Sequence, residues 1–236
     1  MMTVLLTLEV RQDNHANDAP WHEFKEGVKF VLHHRLFLTL ILLSWISMFF
    51  GTSYVHIMPL FADMLQSRER GFGLLISATV VGSMIGNLFI SRYQQSRKLG
   101  IMMLSCAAMA PCSLIGFSLV TWILSDTAGA FWMACCFAIL TAALSSVFLV
   151  SSMTVLQIKV PDALRGRVMG IHSITFSMIS LGGLAAGALA AQFSAPVAVV
   201  IGAFVVLSSV TWVVFKVREI SNFDLNQQSK HTKLFQ

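Results

Sequence analysis

Five stretches of this chain carry no charged residue: 36–62, 71–91, 99–125, 127–158 and 168–215. A helix crossing the hydrocarbon core of a bilayer needs about 20 mostly apolar residues, so each of the first four stretches predicts one such helix. The fifth is long enough for two. It is interrupted at Gln192-Phe193-Ser194-Ala195-Pro196, and proline suits the first turn of a new helix. The pattern therefore predicts six spans, at about 36–61, 72–91, 99–124, 130–156, 168–191 and 196–215. Transmembrane β-strands would alternate apolar and polar residues over about 10 positions, and no such alternation occurs. The fold class is all-α integral membrane, a bundle of six transmembrane helices in a domain over 36–218.

The ends read differently. Residues 1–10 are apolar but too short to span, and they lack the basic start and small-residue cleavage site of a signal peptide. They look like the tail of a preceding transmembrane segment, joined by a polar linker that runs to residue 20. Over 21–35, Trp21, Phe24, Val28, Val31 and Leu32 fall at helical spacing, with Glu23, Lys25, Glu26 and Lys29 between them. That predicts an amphipathic helix lying along the cytoplasmic face. Residues 219–236 form a polar cytoplasmic tail, predicted to be disordered.

Composition supports this reading: 56% of the 236 residues are hydrophobic and only 11% charged, where soluble domains carry roughly 25%. The charges that remain fix an expected orientation. Lys25, Lys29 and Arg35 precede span one; Arg92, Arg97 and Lys98 separate spans two and three. Lys159, Arg165 and Arg167 separate four and five, and Lys216 and Arg218 follow six. That is 3 + 3 + 3 + 2 = 11 basic residues in one set of loops, against Arg68 and Arg70 in the other. The positive-inside bias places both chain ends in the cytoplasm. The net charge of +5 is spread over four loops, so it does not indicate a nucleic-acid surface. The four cysteines lie inside spans three and four, unspaced with histidine for a metal, and are expected to pack as small apolar residues. No cofactor is implied.

Several segments together carry a family likeness. The order "FKEGVKFVLHHRLF", "GFGLLISATVVGSMIGNLFISR" and "VPDALRGRVMG", each with its charge-free span, resembles the C-terminal half of the major facilitator superfamily. The nearest branch is that of bacterial drug and siderophore exporters of the enterobactin-exporter type. The resemblance covers about Phe24 to Glu219, and its most specific piece is Val160–Met169. It implies a twelve-span transporter in two halves, of which this chain supplies the second, in a bacterial inner membrane. The partner would then be an N-terminal six-helix half, in the same longer chain or separate, or a second copy of this chain. The loop motif shared by the halves falls at Gly86–Arg92 with Arg97-Lys98; its acidic residue has no counterpart here. The resemblance further implies that spans one, two, four and five face a central cavity, while three and six face lipid.

Candidate functional residues follow from the spans. Thr79, Ser83, Asn87 and Ser91 recur every four residues in span two, with Gly82 and Gly86 adjoining. Such stripes either pack helices closely or line a wet cavity. In span one Tyr54 and His56 are the candidates, with Pro59 predicted to bend the helix. A membrane histidine either shuttles protons or sits neutral and hydrogen-bonded, and His172 in span five poses the same question. Ser145 and Ser152 are the candidates in span four, while Gly183 and Gly187 in span five form a small-residue surface for helix packing. Asp162, Arg165 and Arg167 lie at the cytoplasmic start of span five, either as a topology anchor or as a gating latch. No Asp or Glu lies inside a span, so a proton-coupled mechanism would need a carboxylate from another half, or His56.

These features point to transport of a small amphipathic or siderophore-like molecule by alternating access. The alternatives are a non-transporting scaffold and a truncated, inactive half. A membrane-embedded enzyme would need a nucleophile–base pair or a His-Glu-x-x-His motif, and neither is present.

Overall fold

A computed structural model describes residues 20–94, 99–125, 127 and 129–216. The expectations for the opening apolar segment, Arg97-Lys98, Asp126 and the tail lie outside the described residues. The described chain is helical, and six of its helical stretches are long and apolar enough to cross a membrane.

Helix α1 (Pro20–His33) is the amphipathic segment. Its Val31 is buried and Val28 partly so, whereas Leu32 is exposed rather than on the packed face. Span one is not one regular helix. It consists of α2 (Arg35–Ile46), a π-helical turn (Ser47–Thr52), a 3₁₀ turn (Ser53–Ile57) and α3 (Met58–Met64). Pro59 sits in the first turn of α3, where its missing N–H costs nothing, so the chain restarts a helix there. The irregularity predicted from Pro59 thus spreads over more than ten residues upstream. Span one closes with a carbonyl-capping turn in which Gln66 N–H bonds Asp63 O and Ser67 N–H bonds Ala62 O, both at 3.0 Å. Gln66 takes the left-handed backbone, φ 53°, that this cap requires.

Span two is α4 (Arg68–Tyr93), and four further uninterrupted helices follow it: α5 (Leu99–Ile123), α6 (Ala130–Lys159), α7 (Asp162–Gln192) and α8 (Ala195–Lys216). Both α6 and α7 extend past the apolar spans read from the sequence, because their charged ends continue the helix beyond the hydrocarbon region. Pro161 is the N-cap of α7 and Asp162 opens it, a carboxylate at the positive end of the dipole. Ser194 caps α8, its Oγ accepting from Val197 N–H.

The packing order is α4 on α6, α6 on α5, α5 on α8, α8 on α7, and α7 on the irregular part of span one. Two apolar cores result. One, around Leu40, Ile41, Met103 and Leu156, lies toward the end that carries α1 and the basic residues; the other, around Tyr54, Phe61 and Phe117, lies toward the opposite end. Phe117 stacks edge-on with Phe61 at 5.0 Å between ring centres. Span three, α5, lies between α6 and α8 and is the most enclosed span, while Met109, Trp122 and Ile123 form its exposed face, where the expected lipid contact falls.

Candidate functional site: a hydroxyl-lined cavity at mid-height

A cavity of about 280 Å³ opens between span one, α4, α6 and α7. Thr52 and Tyr54 come from the irregular turns, Thr79 and Ser83 from α4, Ser145 and Ser146 from α6, and Phe176 and Ile179 from α7. Each of these lies near the middle of its helix, which sets the cavity close to the bilayer midplane. Spans three and six supply none of its lining. Apart from the hydroxyls the lining is apolar, with Met48, Val80 and Leu149 prominent, and no charged side chain takes part.

Local geometry explains why these residues meet. A bond between Ser83 Oγ and Val80 O (2.8 Å) and one between Thr79 Oγ1 and Ile76 O (2.7 Å) satisfy both hydroxyl hydrogens within α4. On the neighbouring stripe, Gly82 lies against Ile139 backbone and Gly86 against Ala143 backbone, so a Cβ at either place would collide with α6. The small residues bring the two helices together, and the polar stripe then stands beside the contact. Asn87 is one turn beyond the cavity. Ser146 Oγ donates to its Oδ1 at 2.5 Å, a bond from α6 to α4.

Of the candidates, Tyr54, Ser83 and Ser145 therefore converge on one cavity, and Asn87 holds a fourth lining residue, Ser146. Two others lie elsewhere. Ser152 is buried and bonded to Ser44 Oγ at 3.1 Å, a link between α2 and α6 in place of cavity lining. His56 is exposed, with its ring over Gly183. His172 is buried in α7 with Thr175 Oγ1 at 3.4 Å from its Nδ1. Gly182 abuts the Phe49 backbone, whereas Gly187 has nothing within 4 Å of where a Cβ would stand, so the packing expected of it is absent here. Cys106 and Cys135 are buried as expected of packing residues, but Cys112 and Cys136 are exposed.

At the basic end, Arg165 pairs with Asp162 one helical turn away at 2.5 Å and donates from Nε to Gln157 O at 3.1 Å. Arg167 pairs instead with Glu26 of α1. Gly27 lets α1 approach closely, since a Cβ there would stand 3.0 Å from Arg167 Cβ.

The sequence reading missed Thr52, Phe176 and Ile179 as lining residues. Thr52 could not be placed because the π turn shifts the helix phase, and apolar α7 residues carry no signal that separates cavity from lipid. Among the described residues no group of three His, Cys, Asp or Glu side chains is placed to hold a metal ion.

Six apolar helices, four of them walling a neutral mid-height cavity, define a multi-pass membrane protein of the transport class. The family model described as transmembrane secretion effector matches residues 1–235, and the chain belongs to this major-facilitator-type family. No curated protein and no solved structure matches it.

Proposed function

We propose that the chain exports a small amphipathic molecule across a bacterial inner membrane, working as one six-helix half of a secondary transporter with both ends cytoplasmic. The observation that carries this is the cavity itself, which lies at mid-height and is walled by span one, α4, α6 and α7, with no residue from α5 or α8. A second six-helix unit, in the same polypeptide or separate, closes the open side. The two then rock about the bound molecule. Arg167 and Glu26 tie α1 to the start of α7, so the surface helix moves with α7 during that motion. The exported molecule contacts Tyr54, Ser83 and Ser145 on this side.

Efflux of a fluorescent amphiphile from cells making the native protein tests the reading. Ala142→Trp fills the cavity from α6 and should abolish efflux at an unchanged amount of membrane protein. Full efflux by that variant overturns the proposal. An antibody to the tail identifies the partner: a native band near twice 26.0 kDa places both halves in one chain, and one at 26.0 kDa requires a separate unit.

A further inference from the structure

The wall of the cavity has a hydrogen-bonding polarity of its own. A serine or threonine hydroxyl offers one hydrogen and two lone pairs. Thr79 and Ser83 have given that hydrogen to carbonyls of α4, and Ser146 has given its hydrogen to Asn87 Oδ1. Accepting a hydrogen bond from a ligand costs these three groups nothing, whereas donating one would break a bond already made. Thr79, Ser83 and Ser146 thus form a wall of acceptors set among Val80, Ala142 and Leu149. No lining residue carries a charge that could offset a ligand's own, and an unpaired charge in such surroundings is strongly disfavoured.

We propose that this wall selects uncharged molecules bearing O–H or N–H donors on an otherwise apolar body. The inference rests on the cavity being the substrate site. It adds that Thr79, Ser83 and Ser146 determine specificity, and that any ionised group of a substrate is held outside this cavity. Thr52 and Tyr54 on span one, and Ser145 on α6 beside Ser146, make no side-chain hydrogen bond among the described residues and can serve a ligand's acceptors as well.

The test uses the whole chain in lipid nanodiscs and four naphthalene probes of similar size: a secondary carboxamide with its N–H, the N-methylated amide, a sulfonate and a trimethylammonium compound. Binding is read by equilibrium dialysis, with empty discs subtracted. The N–H amide should bind about 5-fold tighter than its methylated form, the value of one net hydrogen bond, and both charged probes more weakly than either amide. In Ser83→Ala/Ser146→Ala the ratio between the amides should fall to less than about 2-fold; Thr79→Val, which leaves the Ser146–Asn87 link in place, should lower it too. Equal binding of the two amides, or a charged probe that binds as tightly, overturns the donor preference. Ala142→Trp separates the two levels. If it removes binding that shows no preference, only this inference fails. If binding survives it, or no probe binds saturably, the substrate-site reading fails as well.

Discussion

Helices α5 and α7 are almost equally apolar, with mean hydropathies of 1.8 and 1.7 over their most apolar stretches. Yet 61% of the α5 stretch is buried and only 17% of the α7 stretch. In water that contrast would mark α7 as misplaced. In a bilayer hydropathy reports only that a segment stays in lipid, because lipid tails are as apolar as a protein core. What separates the two helices is finer. Phe117, Ser118 and Thr121 of α5 are fully buried, and Ser118 Oγ donates to Pro196 O at 2.8 Å. Residues of α7 such as Phe176 (54% exposed) and Leu184 (74% exposed) either flank the cavity or face outward. One helix is a strut and the other a wall of the cavity.

Four measurements would break or sharpen this contrast. Phe117→Ala should cost about 3 kcal/mol in reversible unfolding from mixed micelles, the low end for a buried aromatic because the transfer component is small in lipid. Phe176→Ala should cost under about 0.5 kcal/mol; equal losses would erase the distinction. Gly182→Leu, which drives a side chain into the Phe49 backbone, should lose about 1–3 kcal/mol, while Gly187→Leu stays within about 0.5 kcal/mol. An equal effect at the two glycines would show that α7 is enclosed along its whole length. Ser118→Ala should cost about 0.6 kcal/mol, since it removes an interhelical bond in the membrane, and Ser173→Ala, bonded only within α7 to Met169 O, should be neutral in the same assay. Smallest of all, Arg167→Ala should lose about 0.5 kcal/mol at low ionic strength, and the difference should vanish in about 1 M salt, because its ion pair with Glu26 is partly exposed. A loss unaffected by salt would mean that packing of the arginine stem, and not its charge, holds α1 to α7.

Much of the architecture was legible because a run of charge-free stretches this long fits a set of membrane-crossing helices and hardly any water-soluble fold. Span positions followed from where the charges stop. The close α4–α6 contact was foreshadowed by the fourfold repeat of Gly82 and Gly86 beside Ser83 and Asn87. The candidate site was legible only in part. Ser83, Ser145 and Tyr54 carry hydroxyls in lipid-length helices, and that chemistry is visible in the sequence. Ser152 looks the same in sequence and ends in a buried pair with Ser44, because only the neighbouring helix decides whether a hydroxyl meets a partner or a cavity. His56 was a candidate on residue type alone, yet the irregular turns rotate it to the Gly183 side. Pro111 does not break its helix: α5 continues through it, and the residue lines, with Ser47 and Thr141, a small space of about 20 Å³ that shares Thr52 and Ser145 with the main cavity.

The π turn at Ser47–Thr52 has a consequence for inheritance as much as for shape. Such a turn holds one residue more than an α turn, and each residue of an α-helix advances the azimuth by about 100°. Residues before it, such as Ser44, are therefore keyed to one set of neighbours, while those after it, such as Tyr54, are keyed to another. Elsewhere in the six spans, loss of a single codon would turn half a helix away from its contacts. Within Ser47–Thr52, the same loss would relax the wide turn to an ordinary one and leave each half on its own contacts. This segment is thus the natural place for related chains to differ in length by one residue.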